Sequence, residues 1–381
     1  MSRIRPRSIV PWLVLLAWVV AFPPAGRGAE DDSWVGSKVV LRGQGIKIGH
    51  MGDDGRPVFV ADLTDSAYTV LQEQGGWLCV RQRSAVGWFA KMHAVLVEDA
   101  VPYFTERIRA NGLDALAYAH RGRAWKEKGD LDRALKDYDE ALRLYPPHPG
   151  WLRDRGTVYE AKREFERAVR DYSEALRLNP LDALTYLDRG IAYKGLKESD
   201  KAAADYSEAI RLDPNWAHAY YNRANLWRDR KEYGKAVADY GEAIRLDPND
   251  PDAYFNRANV YRARKEYDKA VADYRDVIRL DPKDPDAYDS LAWLLATCPD
   301  DKVRDGPKAV EYAGTACELT ETRSAYFVAT LAAAFAEVGK FDQAIKWQKR
   351  ALESPRYETD EGERAFQRLK RFEDHKPYRE E

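Results

Sequence analysis

The sequence predicts a mainly α protein: an α-solenoid of helix-turn-helix repeats preceded by a small all-β barrel. Three observations carry this prediction. Pro146, Pro180, Pro214, Pro248 and Pro282 recur every 34 residues, and Ala134, Ala168, Ala202, Ala236 and Ala270 keep step with them. Tyr138, Tyr172, Tyr206, Tyr240 and Tyr274 share the interval, as do the small residues Gly122, Gly156, Gly190, Ala224 and Ala258. Upstream of this register the helical pattern gives way to short β-like runs separated by turns. A fixed period of this length marks stacked units that bury their apolar faces against neighbours instead of in one globular core. Function is then expected on an extended surface rather than in a catalytic cleft.

Residues 1–29 read as a secretory signal peptide. Arg3, Arg5 and Arg7 precede a 14-residue apolar run, Ile9 to Phe22, and Gly26 and Gly28 offer small residues at a cleavage spacing around the bulky Arg27. The run is short for a bilayer span and contains Pro11. Export to the periplasm or cell envelope is therefore expected, with an uncleaved membrane anchor as the alternative.

Residues 33–98 are expected to form the barrel, with strands at Lys38 to Arg42, Val58 to Ala61, Thr69 to Gln72, Trp77 to Arg81 and Val86 to Ala90. Gly75 and Gly76 join two of these as a hairpin. The string GGWLCVR, followed shortly by VGWF, resembles a bacterial SH3-like barrel. Trp77, Trp88 and Phe89 would either line a peptide groove of the kind such folds use or fill the core. Residues 99–113 are expected as a helical linker, with Tyr103, Phe104 and Ile108 turned to the first repeat.

Residues 114–355 are expected to hold seven repeats of two helices each. In the third, Leu184, Leu187, Ile191 and Ala192 mark one apolar stripe, and Ala202, Tyr206, Ala209 and Ile210 the next. The Asp-Pro and Asn-Pro pairs close each second helix, because the residue before proline is pushed out of the α region. In the first unit the pattern is Tyr118, Gly122, Trp125, Ala134, Tyr138, Ala141 and Pro146. This pattern resembles the tetratricopeptide repeat family, whose fold is a helical solenoid and whose usual role is to hold a peptide segment of a protein partner. The sixth unit keeps Ala292 but reaches Ala309 late, which points to a longer loop over Cys298 to Gly306. The seventh keeps Ala332, Phe335, Gly339, Ala344 and Ala351. Residues 356–381 read as a capping helix and tail, the polar end that such arrays need.

A covariation is visible inside the single chain. The first five units carry Arg121, Arg155, Arg189, Arg223 and Arg257, together with Asp137, Asp171, Asp205, Asp239 and Asp273. The sixth and seventh carry Leu291 and Leu331, and with them Tyr312 and Trp347. Charges that appear and vanish together are expected to touch, as bidentate arginine–carboxylate pairs within a unit or with the equivalent aspartate of a neighbouring one, the alternative being solvated charges on helix faces.

Composition narrows the functional classes. Lys and Arg number 61 against 63 for Asp and Glu, so no basic footprint for nucleic acid exists. The six histidines are scattered without metal-ligand spacing, and neither a phosphate-cradling glycine loop nor a nucleophile elbow occurs. No enzyme, cofactor or metal is expected. Cys79, Cys298 and Cys317 are expected as free, buried thiols, the last two falling at opposite ends of one helical hairpin.

The resemblance also implies where a ligand would lie, in a groove lined by the first helix of each unit. Units four and five share the string NRAN, which gives Asn222, Asn225, Asn256 and Asn259. Asparagine offers donors and an acceptor that can read the main chain of an extended peptide. Such ladders resemble those in the repeat region of the O-linked glycosyltransferases. Tyr221 and Phe255 would add apolar contact, and Arg228 and Arg262 positive charge. The position of Asn222 is His120, Asp154, Asp188 and Ser290 in other units, so the ladder is incomplete. The expected function is a non-enzymatic scaffold binding a protein or peptide partner. The alternative is a structural or self-associating envelope protein in which another copy fills the groove, with an enzyme, its site between barrel and array, as a remote third option.

Overall fold

A computed structural model describes residues 33–42, 46–51, 57–63, 67–82, 85–145 and 147–380. The expected signal segment and Pro146 lie outside these residues. The chain divides into two compact units, one ending at Asp137 and the other beginning at Tyr138.

In the first unit the described residues form strands β1 (Lys38–Leu41), β2 (Lys47–Met51), β3 (Pro57–Asp62), β4 (Tyr68–Thr69), β5 (Gln72–Gln74), β6 (Trp77–Gln82), β7 (Ala85–Ala90) and β8 (Ala94–Leu96). They make two antiparallel sheets, ordered β4-β1-β8 and β3-β2-β7-β6-β5. Val39, Leu41, Ile48, Leu78, Val80 and Phe89 fill the core between them. Gly75 and Gly76 form the expected hairpin turn. Both have positive φ, 55° and 83°, which glycine adopts without steric cost, and Gln74 pairs with Trp77 across it. The expected run Thr69 to Gln72 is instead broken, since β4 and β5 belong to different sheets. β2 and β8 were not expected. β2 carries Gly49, against which Gly87 of β7 packs so closely that a Cβ on Gly87 would lie 3.0 Å from the Gly49 nitrogen. Of the three aromatic residues at issue, Phe89 is core, whereas Trp77 and Trp88 are half-buried.

Helices α1 (Val97–Ala110) and α2 (Ala115–Glu127) complete this unit. Phe104 is fully buried in a cluster with Ala117 and Ala124, and Val40 and Val95 of the first sheet join it. Tyr103 and Ile108 pack at its edge as expected. Asp114 caps α2 by accepting the Ala117 N–H at 2.9 Å, which satisfies one of the free amides of the first turn.

Helix α3 (Leu131–Leu144) carries the division between the units. The second unit then runs through α4 (Pro149–Ala161), α5 (Phe165–Leu178), α6 (Ala183–Gly195), α7 (Ser199–Leu212), α8 (Ala217–Asp229), α9 (Tyr233–Leu246), α10 (Pro251–Ala263) and α11 (Tyr267–Leu280). It closes with α12 (Pro285–Thr297), α13 (Gly306–Leu319), α14 (Ala325–Glu337), α15 (Phe341–Leu352) and α16 (Pro355–Glu373). Each even-numbered helix from α4 to α14 packs on the odd one after it. The loop 298–305 is the long connection anticipated from the late Ala309. Among the described residues no helix is long and apolar enough to cross a membrane.

The periodic residues do the packing. Tyr172, Tyr206, Tyr240 and Tyr274 are all fully buried. A Cβ on Gly156 would meet the Tyr172 ring at 2.5 Å, and one on Gly190 the Tyr206 ring at 2.6 Å, so glycine here makes room for an aromatic ring. The turns between paired helices repeat as well. Arg163, Lys197, Lys231 and Lys265 all have φ near 60°. The Arg163 N–H donates to the Glu160 carbonyl and the Glu164 N–H to the Tyr159 carbonyl, both at 2.8 Å. That is a Schellman cap, built here on arginine and lysine although glycine fits it best.

All five arginine–aspartate pairs form. In each, Nε and Nη2 hold the two carboxylate oxygens at 2.7–2.8 Å, from Arg121–Asp137 to Arg257–Asp273. The aspartates are buried, at 5–8% exposure. Nη1 then reaches 16 residues back. It finds Thr105 from Arg121, Asp139 from Arg155, Ser173 from Arg189 and Ser207 from Arg223. For Arg257 the corresponding residue is Gly241, which has no side chain to offer.

Candidate peptide-binding face on α8 and α10

The arginines fix the rotation of each first helix. With Arg223 and Arg257 turned to the helix that follows, Asn225 and Asn259 of the NRAN strings reach the second helix of their own unit, Asn256 reaches back to α8, and Asn222 stays on its own helix. Tyr221 sets its ring edge against Tyr240, centroids 6.0 Å apart, and Phe255 does the same against Tyr274 at 5.7 Å. His218 stacks on Tyr221 one turn earlier.

The four asparagines fall into two kinds. Asn225 Oδ1 accepts the Tyr240 hydroxyl at 2.6 Å, and Asn259 Oδ1 accepts that of Tyr274 at 2.8 Å. Burial pushes both phenols up, Tyr274 to about 12, so the hydroxyls stay protonated and remain donors. These two asparagines satisfy buried hydroxyls. Asn222 and Asn256 are different. Asn222 Nδ2 donates to the His218 carbonyl of its own helix at 2.8 Å, and its Oδ1 has no protein partner among the described residues. Asn256 bridges the units: Nδ2 donates to the Tyr221 hydroxyl at 3.0 Å, and Oδ1 accepts from Arg228 Nη1 at 2.6 Å.

Tyr221, Asn256 and Arg228 therefore form one hydrogen-bonded surface across α8 and α10, with Asn222 and Phe255 beside them. All eight candidate residues, Arg262 included, are half-buried. Asn256 loses part of its exposure because Tyr221 and Arg228 of the preceding unit lie against it. Toward α4 and α6 the same positions close up. Arg153 and Asp154 are buried there, with Arg153 Nη2 3.3 Å from Asp154 and its Nε 3.9 Å from Asp188. The polar surface of α8 and α10 thus does not continue toward α4. His218 was missed by sequence reasoning. Its place one turn before Asn222 was the available signal.

Tetratricopeptide repeat family models match residues 115–148, 153–217 and 251–284, and a TPR repeat model matches 224–263. Residues 115–148, 153–217 and 224–284 of the helical array are tetratricopeptide repeats. Among solved structures, the tetratricopeptide array is similar to MamA at 27% identity, covering 44% of this chain and 95% of that one, with a TM-score of 0.41. It is similar to YrrB, described as a TPR protein with an unusual peptide-binding site, at 23% identity, 49% and 96% coverage and a TM-score of 0.42. A tetratricopeptide repeat protein from Parabacteroides merdae matches at 19% identity, 68% and 98% coverage and a TM-score of 0.45. No curated protein matches the chain.

Proposed function

We propose that this chain is an exported, non-enzymatic interaction scaffold whose tetratricopeptide array holds an extended segment of a protein partner across α8 and α10. The observation that carries this reading is the pair Asn222 and Asn256. Asn222 presents an unbonded Oδ1 to donors of a main chain, and Asn256 orients the Tyr221 and Arg228 side chains that flank it. Polar atoms held by a rigid helical face can bind without first being ordered, which lowers the entropy cost of association. The β region, in the SH3-like reading, is a second recognition module, and linking it to the array raises avidity for one shared partner.

Differential capture tests this. Wild-type protein and the Asn222→Ala/Asn256→Ala variant are used as baits on an envelope fraction, with quantitative mass spectrometry as readout. A partner enriched by wild type and lost by the variant, with helicity and melting retained, supports the reading. Equal capture by both baits removes this face from the function. Light scattering of the purified chain covers the self-association alternative, which requires a mass that rises with concentration.

A further inference from the structure

Residues 376–380, outside helix and strand, lie against α12 and α14. Arg371 Nε and Nη2 hold the Pro377 carbonyl at 3.2 and 3.1 Å, and the Glu380 N–H donates to the Thr297 carbonyl at 2.9 Å. The side chains are read as well. Tyr378 packs on Trp293, centroids 5.9 Å apart, with the Arg368 guanidinium over both rings. Arg379 pairs with Glu337 at 2.6 Å, and Trp293 Nε1 donates to Glu380 Oε2 at 3.2 Å. Main-chain bonds combined with contacts to successive side chains, here Trp293 to Tyr378 and Glu380 and Glu337 to Arg379, are how a groove reads a peptide.

The seat continues the face described above. Asp289 and Trp293 stand 34 residues beyond Phe255 and Asn259, on the first helix of the sixth unit. With Arg262, Tyr326, Arg364 and the segment itself they border a cavity of about 750 Å³. Asp289 Oδ1 is shielded from solvent there and has no hydrogen-bond partner. Arg368, 4% exposed, also borders the cavity with its Nε unbonded.

We propose that α12, α14 and α16 form a binding site for an extended peptide carrying an aromatic, a basic and an acidic residue in succession. Residues 376–380 are its resident occupant, and a partner peptide of the same chemistry enters by displacing them. This deepens the reading of the array as a peptide holder and rests on it, but locates the site in the last two units.

The probe is a fluorescein-labelled synthetic peptide of residues 374–381, titrated by anisotropy against the full chain. The wild type, occupied in cis, binds it weakly. The variant Tyr378→Ala/Arg379→Glu releases the resident segment without touching the seat, and binds about tenfold tighter or more, because the competent fraction rises. Adding Trp293→Ala to that variant abolishes the gain. A folded release variant that shows no saturable binding overturns the proposal, and so does equal binding by wild type and variant. Should the release variant melt, the wild type decides: excess unlabelled peptide must speed amide exchange at Tyr378–Glu380, and unchanged exchange sinks the idea. The capture test of the α8–α10 face uses residues outside this seat, so either reading can fail alone.

Discussion

The charged units and the last two units solve the same packing problem in opposite ways. Between the paired helices of units two to five, a bidentate arginine–aspartate pair lies just outside the buried tyrosine. In units six and seven the arginine position holds the buried Leu291 and Leu331, and the aspartate position Tyr312 and Trp347. The consequence shows in the core. From Leu291 to Phe372 the buried apolar residues join one cluster, which extends back to Ala258, Ala270 and Tyr274, whereas the middle units have separate small ones. A buried carboxylate needs a guanidinium, and removing either alone leaves a charge without water. Apolar replacement succeeds only when both positions change, and in this chain they always do.

The comparison breaks most directly at Arg189. Arg189→Leu strands Asp205 and should cost about 3–5 kcal/mol in denaturant unfolding. Arg189→Leu with Asp205→Tyr copies the later units and should recover most of that loss. Losses that simply add would show that the two positions act independently.

Asp289 sharpens the contrast, being a carboxyl in an apolar unit with no arginine paired to it. Burial pushes it up to about 7, with Thr330, Asp286 and Arg262 as its polar and charged surroundings. The folded state then holds a proton that the unfolded state has lost, so stability falls as pH rises from about 4 to 7. At about 1.4 kcal/mol per unit the loss is at most roughly 4 kcal/mol. Asp289→Asn should flatten that part of the pH–stability curve, and an unchanged curve would assign the slope elsewhere.

A smaller effect separates the two kinds of asparagine. Asn225→Ala leaves the Tyr240 hydroxyl without its acceptor and should cost about 1–2 kcal/mol. Asn222→Ala, which removes only a bond to its own helix, should fall within about 0.5 kcal/mol. Thermal melts of the two variants read the difference, and equal losses would erase the distinction. In the third unit Ile191 stands at the Asn225 position, and there the Tyr206 hydroxyl is buried without a partner.

The smallest change is a gain. Gly241→Ser supplies the hydroxyl that Arg257 lacks and a better helix former, together about 1 kcal/mol. A Cβ at Gly241 would lie 3.9 Å from Arg257 Nη1, so the side chain fits. No rise in Tm would show that the third contact of these arginines contributes nothing.

The helical array was legible because its signals are periodic: the tyrosines, alanines and paired charges each name their partner by interval alone. The left-handed turns were not, since Arg163, Lys197, Lys231 and Lys265 occupy a conformation that sequence flags only through glycine, as at Gly129 and Gly339. The candidate face was half legible. An asparagine facing a ligand and one facing a tyrosine hydroxyl look alike in a string, and only the opposing helix tells Asn222 from Asn225. The seat of residues 376–380 left no trace, because Trp293 and Thr297 read as helix and Tyr378 as tail. β2 was hidden by Gly49 and His50, which weaken the alternation that marks a strand.

The arginines also bear on how such a chain changes length over generations. Each of them reaches an aspartate 16 residues ahead and, where a side chain is present, a polar residue 16 behind, so successive joints between the charged units keep one spacing, and those made by Arg189 and Arg223 share the same residue types, serine and aspartate. Loss or duplication of one whole 34-residue segment returns an arginine to an equivalent serine and an equivalent aspartate. A gain or loss of any other length misaligns every joint downstream. Recombination within the corresponding stretch of gene is therefore filtered to whole units, and relatives of this chain should differ in the number of units sooner than in the spacing within them.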